Sequence, residues 1–508
     1  MRTKNSVYNI LGVTALYFVK ILLSFVGKTC LIKVMGDEYN GINALFGSVI
    51  SMLSIAELGI GTAIIYNLYK PVKENNIEAI KSIMIYYKKC YRLIAGIVLV
   101  LGIIMTLFIG DLIGELSIGE NLYFLYYLFL LDAVCSYLFS YKRSIIYANQ
   151  KNYIISMFDM AYVVLLQVLQ ITVLLYLRDF AAYLVVGIIC KLLENILIQF
   201  YADKKYPYLK DKQVGKISSE IRLDIREKVK GLLFHRIGSY IVFGTDNLII
   251  SHMVNIVAEG LYSNYLTIIN PLSNILSQMI NALQPAVGNL LVENDKEKNF
   301  NVYKKISFIN FWIYTISSIC LFYLIQDFII LWLGKEYLFE LGIVFVLCVN
   351  FWQTGMRGAL GAFKNAAGIY YEDRYIALAE SIINILVSII LTYKYGIIGV
   401  FVGTFVSSQL LFLYSFPVLV YKPLFDKNYI FYIKEMLGYI GVWLFSFAVT
   451  YFMSELIEYI YVSNTILNFL LKTGSIFLTV NIILVLLYYR KSEFYYLKDI
   501  LNKLFIRS

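Results

Sequence analysis

The chain has 508 residues, 60% of them hydrophobic and only 15% charged, with a formal net charge of +10. Soluble proteins carry roughly 45–50% apolar and about 25% charged residues, so water-soluble domains are excluded, and the apolar pool is enough for on the order of fourteen spans of about 20 residues. Unbroken apolar runs such as Ile94–Ile109 and Ile476–Tyr489 also exclude an outer-membrane barrel, whose strands alternate apolar and polar residues.

In chain order, the apolar runs place spans at 8–34, 42–68, 93–110, 121–141, 153–176, 180–201, 231–254, 262–291, 305–333, 341–363, 375–393, 396–420, 430–453 and 465–489. The first lacks a small-residue cleavage site after a short apolar core, so it reads as a span rather than a signal peptide. An even number of spans leaves both termini on one side. On that assignment 34 of the 44 basic residues fall on the side of the termini and only Lys33, Arg178, Lys335 and Lys394 on the other. Such a bias puts both termini in the cytoplasm. It also accounts for the positive charge without nucleic acid.

The longest internal segment, 202–230, separates six spans from eight. Within it Ile217, Ile221, Ile225 and Val229 recur every four residues among charged ones, which predicts an amphipathic helix on the membrane surface. Phe494, Leu497, Leu501 and Leu504 repeat the pattern in the tail. The expected organisation is therefore an N-terminal lobe over 1–201, the linker 202–230, a C-terminal lobe over 231–421, and two further spans with a basic tail over 422–508. A weak repeat crosses the linker. Glu38-Tyr39-Asn40-Gly41-Ile42-Asn43 precedes one long helix, and Glu259-Gly260-Leu261-Tyr262-Ser263-Asn264 precedes another. Repeated bundles with a site between them are the architecture of secondary transporters.

Several chemistries lack their residues. Gly27-Lys28-Thr29 resembles the end of a phosphate loop, but Leu22 stands where its first glycine is needed. The two histidines, His235 and His252, give no metal-protease motif and little scope for a catalytic triad. The six cysteines are scattered through apolar runs without metal-ligand spacing. External loops are short and acidic, so no external domain is expected to carry catalysis. These features point away from an enzyme and toward transport driven by a gradient, the membrane potential or substrate consumption.

What remains is a set of ionisable residues inside the spans. The bases are Lys20, Lys28, Lys191, Arg236, Arg357 and Lys472; the acids are Glu57, Asp132, Asp159, Glu194, Asp246 and Glu380. Each costs at least about 2–3 kcal/mol at the bilayer centre unless it faces protein or water. Lys191 and Glu194, three apart, are suited to pair with each other. Lys20 and Lys28 sit about 12 Å apart in depth and about 80° apart around their helix. They can offer two anion contacts along a cavity wall, or pair with Glu57 or Asp132. Arg357, in Gly355-Met356-Arg357-Gly358, can bind a phosphate bidentately, and Arg236 is either a contact or a snorkelling residue at a span end. Asp246, beside Thr245 and Asn247, suits a coupling cation or proton, or answers a lysine. Pro271 and Pro285 should bend the eighth span.

Gly36-Asp37-Glu38-Tyr39-Asn40-Gly41-Ile42-Asn43 with Ala56-Glu57-Leu58-Gly59-Ile60-Gly61, Thr245-Asp246-Asn247 with Gly260-Leu261-Tyr262-Ser263-Asn264, Gly355-Met356-Arg357, and Gly396-Ile397-Ile398-Gly399 with Gly403-Thr404 together resemble the polysaccharide transporters, the Wzx-type oligosaccharide flippases of the multidrug/oligosaccharidyl-lipid/polysaccharide exporter superfamily. The resemblance implies an all-α membrane protein with two six-helix lobes in a V and two C-terminal helices, in the bacterial cytoplasmic membrane. It implies flipping of undecaprenyl-pyrophosphate-linked repeat units of capsule, O-antigen or exopolysaccharide to the outer leaflet. Lys20, Lys28, Arg357 and Arg236 are then the expected pyrophosphate contacts, and Asp246, Glu57 and Asp132 the residues for ion coupling or charge pairing. The expected partners are the lipid-linked oligosaccharide, membrane lipids and polysaccharide-assembly proteins, with no cofactor beyond a coupling cation or proton. Two rivals remain: a cation-coupled multidrug antiporter of the same superfamily, which needs an acidic cavity, and a membrane polysaccharide polymerase, which needs a longer external loop.

Overall fold

In the computed structural model, the described backbone covers residues 2–57, 60–113, 118–211, 217–293, 295–369, 372–458 and 465–506; side chains are described over the same residues except 2–11, 55–56, 62, 228–243, 374, 456–458, 465, 500–501 and 503–506. Among the described residues all regular structure is helical. The order is α1 (Arg2–Met35), α2 (Asp37–Leu53), α3 (Ile60–Lys73), α4 (Ile77–Ile113), α5 (Leu122–Phe139), α6 (Arg143–Ala148), α7 (Asn152–Tyr176), α8 (Phe180–Lys205), α9 (Ser219–Met253) and α10 (Ile256–Asn281). There follow α11 (Gln284–Val292), α12 (Lys296–Trp332), α13 (Leu341–Met356), α14 (Gly358–Ala367), α15 (Arg374–Tyr395), α16 (Ile397–Leu410), α17 (Lys422–Phe425), α18 (Tyr429–Glu458), α19 (Thr465–Tyr488) and α20 (Ser492–Ile506).

Local chemistry sets many of the boundaries. Asn121, Asp179, Ser218 and Asp295 each accept a backbone N–H from the first turn of the following helix, which satisfies donors that the helix itself cannot. Gly396, at φ +67°, turns the chain between α15 and α16 in a conformation that disfavours other residues. Pro285 lies in the first turn of α11, where its missing N–H costs nothing, and α10 ends just before it. Pro271 stays inside α10, so the break in the eighth span falls at Ala282–Leu283.

Eleven helical segments are long and apolar enough to cross a membrane by themselves among the described residues. Three of the fourteen expected spans, 42–68, 231–254 and 262–291, are not among them. They coincide with α2–α3, α9 and α10–α11, which are broken or carry the polar residues described below. Low apolarity is itself informative here, because a helix with a polar face needs protein or water beside it.

The weak sequence repeat extends through the helices. Asp37 and Ile256, Ile77 and Lys296, and Leu122 and Leu341 begin corresponding helices, each pair 219 residues apart. Helices α4 and α12 even share a length of 37 residues. At 1.5 Å per residue each runs about 55 Å, well beyond a hydrocarbon core of about 30 Å.

The chain divides into two compact units, Met1–Ser263 and Asn264–Ser508. The first therefore takes in the seventh span, because α9 packs on α2, α3 and α4. The separate surface helix expected over 202–230 does not form. One helix runs unbroken from Ser219 to Met253, and its stripe faces protein: Ile225 is buried, and Ile217 and Ile221 pack against the core of the first unit. Apolar spacing identifies a buried face without saying whether lipid or protein covers it. The side chain of Val229 lies outside the described residues. In the second unit the tail helix α20 packs on α12 through Phe494 and Trp312, ring centroids 5.7 Å apart.

Helices α15 and α16 approach so closely that a Cβ on Gly403 would lie 2.7 Å from Ser388 Cα, and one on Gly399 would lie 2.3 Å from the Leu391 carbonyl carbon. Small residues permit this contact in a membrane, where no hydrophobic effect drives helices together. Gly403→Val should cost roughly 1–3 kcal/mol by overpacking and lower the Tm of the purified protein in detergent. An unchanged Tm would show that the close approach contributes nothing.

Candidate functional site

All contacts below lie within the first compact unit unless the second is named. Tyr17, Lys20, Ser24 and Lys28 recur at three- and four-residue spacing and share one face of α1. The opposite side presents Phe18, Leu22 and Val26, each more than half exposed, as a lipid-facing surface should. A third side packs on α7. There a Cβ on Gly27 would sit 2.0 Å from Gln167 Oε1, so the glycine leaves room for the Gln167 amide as it now lies. This packing fixes the rotation of α1 and hence the direction of its polar face. Lys20 is exposed and forms no ion pair among the described residues.

Lys28 reaches further in. Its Nζ donates to Ser263 Oγ at 2.7 Å, and Ser263 in turn donates to the Gly260 carbonyl at 2.8 Å. That carbonyl also accepts from Asn40 Nδ2 at 2.8 Å. The two copies of the sequence repeat thus meet each other. A Cβ on Gly41 would lie 2.1 Å from the Ile256 carbonyl oxygen, and one on Gly260 would lie 3.1 Å from Gly41 N. Gly41 is needed for the first turns of α2 and α10 to touch, and Gly260 keeps that contact from being crowded.

Immediately before Gly260, Glu259 is fully buried, and neither carboxylate oxygen has a hydrogen-bond partner among the described residues. It lies in the field of the Lys28 ammonium and of the Asp246 carboxylate. Asp246 is itself buried on α9 beside Thr245, and its neighbour Asn247 donates through Nδ2 to Ser48 Oγ on α2. Lys28, Glu259 and Asp246 therefore form a buried group of one base and two acids, brought together by α1, α9 and α10. A base and two acids gathered in a medium that solvates charge poorly make a setting that can accommodate an added proton or cation.

Glu259 is the residue that sequence reasoning passed over. It appears in the repeat, but the eighth span was expected to start at 262, outside it. The helix in fact starts at Ile256. The repeat offered the signal, since Glu259 precedes Gly260 at the point where the two copies meet.

The other candidates lie elsewhere. Glu57, at the break between α2 and α3, accepts a hydrogen bond from Tyr91 of α4 at 2.7 Å. Asp132 faces Lys191 without a salt bridge among the described residues. It borders a network in which Arg143 binds Asp159 at 2.8 Å and Glu194 at 2.9 Å, while Lys191 forms the expected pair with Glu194 at 2.8 Å. Arg143, expected in a cytoplasmic segment, is thus the hub of an internal ion network. The side chain of Arg236 lies outside the described residues.

In the second unit Arg357 is held at the junction of α13 and α14. Its guanidinium lies 3.6 Å from Glu380 and donates to the Ser408 carbonyl at 3.3 Å. Gly355 beside it lets the Tyr314 ring pack against the backbone. Nearby Lys364 pairs with Asp373, which also accepts from Ser415 at 2.6 Å, and Lys472 pairs with Asp327 at 2.8 Å. These bases have carboxylate partners within their own unit, unlike Lys20.

No family model matches the chain, and no curated protein matches its sequence. Its fold nevertheless recurs among solved structures. The lipid II flippase MurJ in an inward closed conformation aligns at a TM-score of 0.67 over 94% of this chain and 99% of its own, with 16% identity. An inward-facing multidrug resistance MATE transporter of the MOP superfamily gives 0.61 over 78% and 93%, with 14% identity. A Vibrio cholerae MATE transporter gives 0.53 over 85% and 99%, with 14% identity. This chain is an all-helical, multi-pass membrane protein with the fold of these transporters.

Proposed function

We propose that this protein is a flippase for a lipid-linked oligosaccharide, of the undecaprenyl-pyrophosphate class, working by alternating access in the bacterial cytoplasmic membrane. The observation that carries the reading is the polar face of α1. An apolar span presents Tyr17, Lys20, Ser24 and Lys28 in line, with Lys20 exposed and in no ion pair among the described residues. Such a face contributes nothing to a helix meant only to pack in lipid. It suits a diphosphate passing from one lysine to the next, each contact charge-assisted. The likeness over nearly the whole chain to a lipid II flippase supports the same class of substrate, a sugar on a polyprenyl diphosphate.

Arg357 lies against Glu380 and the Ser408 carbonyl, so this proposal places the diphosphate contacts on Lys20 and Lys28. In the mechanism Lys20 and Lys28 bind the diphosphate while the lipid tail stays in the bilayer. Glu259 and Asp246 sit beside Lys28 and supply the coupling site, taking up a proton or cation when Lys28 turns toward the substrate. On this reading the termini are cytoplasmic, and the Gly41–Gly260 contact lies toward the outer face.

In proteoliposomes carrying a labelled undecaprenyl-pyrophosphate oligosaccharide, Lys20→Gln and Lys28→Gln should each slow transfer between leaflets about tenfold or more, as loss of one charge-assisted contact of about 1.5–3 kcal/mol predicts. Protein yield should be unchanged. Wild-type rates in both variants would remove these lysines from the path and the reading with them.

The acid pair also favours a second reading, a cation-coupled multidrug antiporter, in which Glu259 and Asp246 would take a cationic drug. The two differ in their cargo. Glu259→Gln should abolish acceleration of flipping by an imposed proton or sodium gradient while leaving passive binding of the oligosaccharide lipid intact. If the variant instead loses extrusion of a cationic dye from cells, and flipping stays gradient-independent in the wild type, the antiporter reading replaces the flippase.

A further inference from the structure

Away from the Lys28 group, the first unit holds a cavity of about 560 Å³ where α4 enters its apolar stretch. Four of its lining residues, Lys81, Lys88, Lys89 and Arg92, come from one stripe of α4; Lys142 follows α5, and Lys210 follows α8. The two acids in the wall are already used. Lys81 binds Asp211 at 2.6 Å, and Lys142 binds Asp203 at 2.6 Å. Lys88 lies over the Tyr141 ring, 5.5 Å from its centroid. Lys89, Arg92 and Lys210 form no salt bridge among the described residues. Six bases against two acids leave a concave surface with a large excess of positive charge. Such concentration repels itself and attracts an anion, and a guanidinium flanked by ammonium groups matches phosphate oxygens in particular.

The same stripe of α4 identifies the kind of phosphate. Beyond Arg92 it continues at three- and four-residue spacing through Gly96, Leu99, Ile103 and Leu107. These apolar side chains are exposed, Leu99 to 41%, Ile103 to 49% and Leu107 to 76%. The basic residues of the cavity and an exposed apolar rail thus follow one another on the same stripe of one helix. The expected third span starts at 93, which puts Arg92 at headgroup depth, where basic clusters select anionic lipids. Free phosphate would fill the cavity but make no use of the rail.

We propose that this cavity binds the phosphate headgroup of an anionic phospholipid whose acyl chains lie along Leu99, Ile103 and Leu107. The site is separate from the Lys20–Lys28 face and does not depend on what the protein transports. Its natural role is to hold α4, and with it the segments after α5 and α8, against the headgroup layer on which Lys142 and Lys210 converge.

The test uses the full-length protein in detergent, titrated with a fluorescent phosphatidylglycerol and with its phosphatidylcholine analogue. Lys89→Gln combined with Arg92→Gln should weaken phosphatidylglycerol binding about thirty-fold, by about 1 kcal/mol per basic residue, and leave phosphatidylcholine binding unchanged. Arg92→Lys should keep most of the affinity, and Lys151→Gln, outside the cavity, should keep all of it. Should the double variant fail to elute as the wild type does, Lys210→Gln alone serves, with about a five-fold loss expected. Equal affinity for phosphatidylglycerol in wild type and variants would overturn the proposal. So would complete displacement of the bound lipid by inorganic phosphate at an equal concentration, which would assign the cavity to free phosphate.

Discussion

The constraint on which the rest depends is the cost of a charge in hydrocarbon. A membrane protein can hold many ionisable residues only by giving each a partner, a hydrogen-bonding wall or water. The two units meet that constraint differently. In the second, Arg357, Lys364 and Lys472 each lie against a carboxylate, so that their charge is neutralised where it sits. Buried pairs of this kind contribute little net stability, but breaking one leaves an uncompensated charge. They tie the α13–α14 junction and α14 to the start and middle of α15, and α19 to α12.

The first unit contains both solutions. Arg143, Asp159, Lys191 and Glu194 form a connected network that joins α6, α7 and α8. Around Lys28 the balance is deliberately incomplete. Its ammonium donates to the Ser263 hydroxyl and lies in the field of Glu259, which has no hydrogen-bond donor among the described residues.

Close backbone approach is the second requirement. Gly27 of α1 against α7, Gly41 at the meeting of the repeat copies, and Gly399 with Gly403 of α16 against α15 all stand where a methyl group would overlap a neighbour, and Gly260 stands where it would be tight. The glycines at 41 and 260 have a functional consequence. By letting α2 and α10 touch, they bring Ser263 and Glu259 within reach of Lys28. The same contact ends where two broken elements begin, since α2 passes into α3 and α10 into α11 with an interruption in each.

Much of this was legible in the residues alone. Apolar runs locate the spans because a helix in lipid must be apolar over its whole lipid-facing length, a local property of sequence. The Lys191–Glu194 pair was legible because three residues on one helix determine their own geometry. The repeat was legible through one motif, and the structure extends it to the helix starts. Lys28 and Asp246 stood out as charges where none is expected. What tertiary structure alone decided is which charge meets which. Lys28 finds Ser263 and Glu259 across more than two hundred residues, Arg357 meets Glu380, and Ile217, Ile221 and Ile225 face protein. Periodicity reports that a face is covered or that a charge is buried. The identity of what covers it depends on how helices rotate and pack, and that is set by glycine contacts and side-chain volumes distributed over the whole chain.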